Sequence, residues 1–329
     1  MKHANISIFI PHLGCPFNCI FCDQYKITGS DSYVTPLDVY NILDKAYTHK
    51  TKSIKNTQIA FFGGSFTAID RQLMIDYLET ANNFIGKDGF DSIRISTRPD
   101  CIDEETLEIL KKYNVKTIEL GIQSLCDDVL KASKRGHTVK DCIDSCNLIK
   151  NYGFELGMQM MCGLPCDSFE KDVYTAQKII EIGCKQVRIY PVVVIQGTKL
   201  CDMYNSKIYT PLTVDEAVKT CAHLYKMFEN NGVTVLKMGL HTDSGCVAGP
   251  FHPAFGELVR SEVFYNDVIT KINKLESFLI KTSISFESTA KGNAKRNLER
   301  FKNNGYNVQI QADATLNNKN YVIIKKTPV

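Results

Sequence analysis

Apolar residues follow two alternating patterns along most of this chain, and together these patterns predict a layered α/β structure. Short continuous apolar runs predict buried β-strands at residues 6–10, 58–62, 92–97, 116–121, 155–161, 186–191 and 233–238. Apolar residues at helical spacing predict a helix that begins at Pro36 and another whose apolar face runs from Leu73 to Phe84. Further helical patterns lie at 104–113, up to residue 130, and at 139–152, 170–182 and 214–231. Strands that alternate with helices of this length indicate βαβ units and a mainly parallel sheet. Periodicity alone does not separate an open doubly wound sheet from a full or partial barrel.

The pattern changes near residue 275. An apolar run at 278–284, a basic helix near 290–302 and strands at 306–311 and 320–325 predict a small α+β piece. We therefore expect a core of residues 1–240, a lid or connecting segment at 241–274 and a small basic extension at 275–329. Residues 249–256 (GPFHPAFG) are too rigid and aromatic for an idle linker, and we expect a lid or substrate wall there. His252 is a weaker candidate for an acid or base.

Composition is that of a globular protein, with 44% hydrophobic and 23% charged residues among 329. Because there is no run of about 18 apolar residues, we expect no membrane span. A strand-like run follows directly after the first five residues, and this N-terminus lacks the architecture of a signal peptide. Thirteen cysteines without such a signal favour a reducing compartment, so we expect a cytoplasmic protein with free thiols.

Charge is distributed unevenly. The formal net charge is +3, but residues 281–329 alone carry +6 and the first 280 residues carry −3. A basic end on a slightly acidic body is compatible with a polyanionic partner, although most basic helices are simply solvated faces. Lys291, Lys295, Arg296 and Arg300 fall at spacings that align pairs of them on a helix, so RNA, above all transfer RNA, is the partner we expect.

A loop directly after the first strand carries the clearest chemical signal. Its thiols Cys15, Cys19 and Cys22 have C-x-x-x-C-x-x-C spacing, which suits an iron–sulfur cluster or zinc. Structural zinc normally takes a second cysteine or histidine pair, whereas the candidates here are His12 and the distant Cys101. The spacing favours an iron–sulfur cluster, and three ligands on a four-iron cluster would leave one iron open.

Further polar and small residues stand at the carboxyl ends of the following strands, where parallel sheets bind ligands. Gly63 and Gly64 would let backbone approach a ligand closely, although an ordinary tight turn explains them equally well. Ser96, Gln123 and Gln159 are polar residues in or after apolar strands, and each is either a core hydrogen-bonding residue or a ligand contact. Arg135 could bind a carboxylate. Cys162 and Cys166 flank Gly-Leu-Pro, and we expect both to be packed cysteines rather than ligands of a second metal.

These motifs together resemble the radical S-adenosylmethionine (SAM) superfamily. The cysteine loop, with Phe21 before its third cysteine, resembles the superfamily signature, and the other strings resemble relatives of the Elongator catalytic subunit. Those strings are residues 63–66 (GGSF), 97–100 (TRPD), 119–124 (ELGIQS), 135–138 (RGHT), 163–165 (GLP), 189–191 (IYP) and 197–200 (GTKL). Residues 292–297 resemble an extension found on some of these relatives, and a more distant similarity is to oxygen-independent coproporphyrinogen oxidase.

The resemblance implies a partial (β/α)6-type radical SAM barrel with a small α+β C-terminal extension. It also implies a [4Fe–4S] cluster on the three cysteines, SAM on the open iron, and a 5′-deoxyadenosyl radical that abstracts hydrogen from a substrate. An electron donor such as ferredoxin or flavodoxin would reduce the cluster. By position, the SAM contacts would be Phe21, Gly63, Gly64, Ser65, Ser96, Gln123, Arg135 and Gln159.

The chain departs from its relatives in three respects. Ser65 replaces the glutamate of the common Gly-Gly-Glu, and Ser96 stands where relatives often carry glutamate. The Elongator subunit has an acetyltransferase domain for which this chain leaves no room, so acetyl transfer is not expected. The substrate stays open between transfer RNA and a small molecule or tetrapyrrole. A non-enzymatic metal protein that binds RNA is the remaining alternative.

Overall fold

The computed structural model describes residues 4–10, 13–28, 34–49, 56–240, 245–317 and 321–326. His12 and Asn320, which the sequence analysis names, lie outside these residues. The chain divides into two compact units, Met1–Val214 with Met227–Pro253 and Asp215–Lys226 with Ala254–Val329. No helix in the described part of the chain has the length and apolarity that a bilayer crossing requires.

The described residues form twelve strands and twelve helices. The strands are β1 (Ala4–Ile10), β2 (Thr57–Gly63), β3 (Ser92–Thr97), β4 (Val115–Gln123), β5 (Glu155–Cys162), β6 (Gln186–Pro191), β7 (Val194–Ile195), β8 (Thr234–Met238), β9 (Cys246–Ala248), β10 (Ser277–Thr282), β11 (Asn307–Ala312) and β12 (Tyr321–Lys325). The helices are α1 (Gln24–Thr28), α2 (Pro36–Thr48), α3 (Arg71–Asn82), α4 (Glu104–Lys112), α5 (Asp127–Ala132), α6 (Val139–Asn151), α7 (Phe169–Ile182), α8 (Lys199–Asn205), α9 (Val214–Asn230), α10 (Phe255–Ile269), α11 (Glu287–Lys291) and α12 (Arg296–Asn303). Every strand predicted for the first 240 residues is present, within two residues at either end.

The main sheet has seven parallel strands in the order β1-β2-β3-β4-β5-β6-β8. Because the order advances in one direction, right-handed crossovers place the connecting helices on one face. The sheet can then curl around its other face, as in a barrel, and it stays open between β1 and β8. A doubly wound sheet would reverse its strand order partway. The predicted partial barrel is therefore confirmed.

Local sequence explains where these elements begin. Thr35 and Asp38 form a reciprocal capping box at α2, and Thr138 and Asp141 form another at α6. The central strands carry long apolar runs because both of their faces are covered. All six residues of β3 are buried. Capped helices and strands that are buried on both faces thus fix the positions of the strand ends.

The second unit contains a three-stranded sheet in the order β11-β10-β12. Phe264 from α10, Ile280 from β10 and Phe301 from α12 meet in its apolar core. Helix α10 begins within the stretch for which we predicted a lid, and the lid function stays a prediction. The boundaries proposed at residues 240 and 275 likewise stay predictions.

The prediction of a single basic helix near 290–302 is wrong. The chain forms α11, then a turn, then α12, because Gly292, Ala294 and Lys295 adopt positive φ angles of 78°, 50° and 62°. The break lets the buried amide of Asn297 donate to Ser261 and to the carbonyl oxygen of Ala290, at 2.9–3.1 Å. Lys291 and Lys295 are therefore not aligned one helical turn apart.

Candidate active site at the strand ends

The cysteine loop lies against the carboxyl end of β2. The backbone N–H of Gly64 donates to Ile10 at 3.0 Å, and that of Ser65 donates to Leu13 at 2.8 Å. A Cβ atom on Gly64 would overlap the carbonyl oxygen of Leu13. The glycine motif is therefore required for the approach of the cysteine loop, whereas the sequence suggested contact with a ligand or an ordinary tight turn. Contacts of Gly63 and Gly64 with SAM stay a prediction.

The three thiols are free and half-buried. Cys15 Sγ lies 3.9 Å from Ser65 Oγ. Burial raises the pKa of Cys15, and burial together with the neighbouring Cys19 and Cys15 raises the pKa of Cys22 to about 12. Thiolates are disfavoured in such a place until a metal supplies positive charge.

These thiols suit a cluster better than a single ion. No three His, Cys, Asp or Glu side chains within the described ranges surround a point where one metal ion could bind. Sulfur ligands of a four-iron cluster stand farther apart than ligands of a single ion. The donor set, three soft thiols on one loop, fits an iron–sulfur cluster.

Arg135 connects this loop to the neighbouring strands. Its Nη1 atom donates to Cys19 Sγ at 3.1 Å, and its Nη2 atom donates to the carbonyl oxygen of Gly121 at 2.5 Å. Its Nε atom is buried and has no hydrogen-bond partner in the part of the chain that the structure describes. The guanidinium therefore places positive charge beside Cys19, and its Nε–H is not used by any described residue.

Gln123 and Arg135 converge over Gly121. A Cβ atom on Gly121 would lie 3.0 Å from Gln123 Nε2 and 3.5 Å from Arg135 Nη2. Gln123 ends β4 with a φ angle of 66°, a conformation rarely adopted by residues other than glycine. Such strain at a strand end is typical of functional positions.

Ser96 of β3 and Gln159 of β5 are also brought together, although β4 lies between their strands. Gln159 Nε2 lies 3.3 Å from Ser96 Oγ and 3.2 Å from Glu119 Oε2. Both alternatives weighed for these residues, core hydrogen bonding and ligand contact, stay compatible with this geometry because Gln159 is only partly buried.

The two phenylalanines of the cysteine loop lie in different surroundings. Phe21 is 8% exposed and packs in an apolar cluster with Val192 and Leu200, against which Cys19 and Cys22 also rest. Its contact with adenine stays a prediction. Phe17 was not anticipated. It is 45% exposed, lies against Gly136 and has the Arg98 guanidinium 5.0 Å from its ring centroid.

Sequence reasoning missed a charged network on the same face of the sheet. Glu119, 1% exposed, pairs with Arg94 and accepts from Arg188 at 2.8 and 3.1 Å. Burial would raise the pKa of Glu119, but the two guanidiniums outweigh it and hold the pKa below its usual range. Gln58 accepts from Arg94 at 2.9 Å. Polar residues at alternate positions of otherwise apolar strands were the available signal.

The packing prediction for the two cysteines around Gly-Leu-Pro is half right. Cys162 is buried, as expected, but Cys166 is exposed and has a φ angle of 65°. The tight turn around Gly163 places Cys166 outside the core, so packing does not explain it.

Comparison with known proteins agrees with this geometry. The family model described as "Radical SAM superfamily" matches residues 9–178, and the one described as "Radical_SAM C-terminal domain" matches residues 184–264. The uncharacterized protein MJ0486 of Methanocaldococcus jannaschii is 31% identical over 215 residues, which are 62% of this chain and 65% of that protein. A tRNA uridine(34) acetyltransferase of Methanocaldococcus infernus is 33% identical over 132 residues, 39% of this chain and 25% of that protein.

The fold has a counterpart among solved structures. The archaeal Methanocaldococcus infernus Elp3, solved with an N-terminal deletion, superposes with a TM-score of 0.64 at 22% identity, over 82% of this chain and 63% of that chain. The chain thus spans less than two thirds of the length of these relatives. The predicted resemblance to this superfamily, and to Elongator-type proteins within it, is confirmed.

Proposed function

Because this chain belongs to the radical SAM superfamily, we propose that it modifies RNA, with transfer RNA as the preferred class, by hydrogen abstraction. As a superfamily member it is an enzyme that binds a [4Fe–4S] cluster and SAM. When bound and reduced, this pair supplies the 5′-deoxyadenosyl radical. The convergence of three thiols, Arg135 and the glycine turn at the carboxyl ends of the strands is the observation that carries the proposal.

The cluster would be held by Cys15, Cys19 and Cys22. Their loop is pinned to β2 through Gly64 and Ser65, so the thiols need little reorganisation to receive a cluster. Arg135 donates to Cys19 and would bind the carboxylate of SAM through its unused Nε–H. The guanidinium would then orient the cofactor.

The remaining contacts would come from the strand ends. Ser65, Ser96 and Gln159 would bind polar groups of SAM, and Gln123 is fixed beside Arg135 over Gly121. Phe21 packs behind the loop and helps to exclude water from it. Ser65 carries a hydroxyl where relatives carry a carboxylate, so it can donate a hydrogen bond as well as accept one.

RNA as substrate is supported by the relative named for transfer RNA and by basic residues of the second unit. Three of the four residues first considered are neutralised by acids: Lys291 by Glu287, Arg296 by Asp215 and Arg300 by Glu262. The exposed Lys295 and Lys302 have no acidic partner among the residues the structure describes, and both line a groove with Tyr306. Two lysines beside an aromatic ring suit phosphate contact and base stacking.

A reconstitution experiment tests the proposal. Anaerobically loaded protein should contain close to four irons and should form 5′-deoxyadenosine with dithionite and SAM. The rate should rise when bulk transfer RNA is added. A well-loaded protein that forms no 5′-deoxyadenosine would contradict radical chemistry. Stimulation by a metabolite fraction in place of RNA would point to a small-molecule or tetrapyrrole substrate.

The basic groove has its own test. Filter binding of transfer RNA by a Lys295→Gln, Lys302→Gln double variant should show a salt slope shallower by about 2 than wild type. The matched control is Lys111→Gln, Lys131→Gln, which removes two exposed lysines from the barrel helices α4 and α5. Equal slopes for both double variants would contradict RNA contact at this groove.

A further inference from the structure

The face of the sheet that carries the Glu119 network also carries a lysine that has no ionic partner among the described residues. In the register of β6 and β8, Arg188 stands opposite Lys237. Directly opposed residues of neighbouring strands project from the same face, so Lys237 shares the face from which Arg188 reaches Glu119. Lys237 is partly buried. It has neither an ion pair nor a side-chain hydrogen bond to any residue that the structure describes.

Charge on this face is unbalanced. Arg94, Arg188 and Lys237 are cationic, whereas Glu119 is the buried acid and already binds both arginines. Glu155, the other acid near Arg94, is exposed at the amino end of β5. Burial, and then the neighbouring Arg188, lower the pKa of Lys237 to about 8.

The location is also suited to a ligand. Lys237 is the penultimate residue of β8, and Tyr190, whose side chain hydrogen-bonds to Arg188, is the penultimate residue of β6. Both therefore lie at the carboxyl ends of their strands, where parallel barrels bind substrates. Arg188 uses its Nε and Nη2 atoms for Glu119, so on this face the ammonium of Lys237 is the cation without an ionic partner among the described residues.

We propose that Lys237, backed by Arg188, binds an anionic group of the substrate, a phosphate or a carboxylate, inside the barrel. The observation behind this proposal is that Lys237, without an ionic partner among the described residues, stands opposite Arg188 in the register of β8 and β6. The proposal rests on the proposed function only in that the anion belongs to the substrate of the radical reaction. The anion would neutralise Lys237 and would position the rest of the substrate toward the cysteine loop.

Competitive labelling tests the site without radical chemistry. Anaerobically loaded holoenzyme is treated with trace acetic anhydride in a buffer free of phosphate, and acylation of Lys237 and of the exposed Lys111 is followed by mass spectrometry. We expect inorganic phosphate or acetate to slow acylation of Lys237 at least fivefold, saturably, and to leave Lys111 unchanged. Protection by phosphate alone identifies a phosphate group, and protection by acetate alone identifies a carboxylate.

Three results would overturn the proposal. Protection by neither anion would do so, as would protection by SAM alone, because the cofactor would then occupy the position. A Lys237 that is equally unreactive with and without anion would show that the protein itself supplies the partner.

A kinetic arm separates this proposal from the proposed function. With the RNA or metabolite fraction that stimulates 5′-deoxyadenosine formation, Lys237→Gln should raise the half-saturating concentration at least tenfold. Lys237→Arg should restore most of the loss, and Lys111→Gln should match wild type. A Lys237→Gln variant with wild-type saturation overturns the anion site. If no fraction stimulates the wild type, the proposed function fails while the labelling result stands.

Discussion

The carboxyl ends of the strands and the middle of the same sheet satisfy their polar groups in opposite ways. Near the strand ends, Ser133, Arg135 and His137 hold three of the five buried polar side-chain atoms that lack a hydrogen-bond partner among the described residues. In the middle of the sheet, Arg94 and Glu119 are as deeply buried, yet neither appears in that set. A buried polar group without a partner is unfavourable, so its retention in one short segment indicates a ligand there.

This difference also distinguishes residues that stabilise the fold from residues expected to take part in the chemistry. In the Glu119 network one buried carboxylate pairs with two guanidiniums, and removing Glu119 leaves both of them without compensation. The segment around Arg135 keeps an Nε–H without a hydrogen-bond partner among the described residues, and we expect the cofactor to supply that partner. Substitutions in the two regions should therefore affect different measurements.

The largest effect is expected from Cys19→Ser. This substitution removes a proposed cluster ligand, so bound iron should fall well below wild type and 5′-deoxyadenosine should fall to background. The stability of the iron-free protein in urea should change by less than about 1 kcal/mol, because the thiol is only half-buried. Iron analysis and product formation are compared with Cys166→Ser, which alters an exposed cysteine and should match wild type. Loss of iron in both variants would contradict the assignment.

Glu119→Gln should have the largest effect on folding. It leaves Arg94 and Arg188 facing each other without a counter-charge, and breaking a buried ion pair costs about 3–5 kcal/mol. Urea denaturation of the iron-free protein measures the free energy of unfolding. Glu108→Gln, on the exposed side of α4, should change it by less than about 0.5 kcal/mol. If the two variants are equally stable, the network does not stabilise the barrel.

The two regions also differ in how far sequence predicted them. The cysteine spacing, the glycine turn and Arg135 were visible because their chemistry is local in sequence or carried by motifs. The Glu119 network joins residues of β2, β3, β4 and β6, which sequence separates and only strand register brings together. The apolar runs predicted the strands correctly, but they drew attention away from the buried polar residues within those strands.

The second unit shows another limit of sequence. Helical periodicity predicted one basic helix, but tertiary contacts of Asn297 stabilise a break that no local propensity required. The ion pairs that neutralise Arg296 and Arg300 likewise depend on α9 and α10, which pattern analysis could not place beside α12.

Acid should destabilise the protein through His137. Burial, then Arg135 and Arg98, lower the pKa of His137 to about 4, so the unfolded chain binds a proton near pH 6.5 that the folded chain does not bind. Stability conferred by this group is therefore complete above pH 6.5 and falls as the pH drops toward 4. Between pH 7 and pH 5 the loss is about 2 kcal/mol at most. Urea denaturation of the iron-free protein at both pH values should show that His137→Gln removes this part of the pH dependence. A variant as acid-sensitive as wild type would contradict the prediction.

The smallest effect is expected from Arg135→Lys. Lysine keeps the charge beside Cys19, but its three donors sit on one nitrogen and cannot replace the separate Nη1, Nη2 and Nε donors of the guanidinium. Bound iron should stay near wild type, whereas affinity for SAM should fall about tenfold, which corresponds to about 1.4 kcal/mol. Equilibrium dialysis of SAM with the anaerobic holoenzyme measures this, and Arg71→Lys, at a half-exposed position of α3, is the matched control. Lost iron with unchanged SAM affinity would assign Arg135 to the cluster loop alone. The unpartnered Nε–H would then need a ligand other than the cofactor.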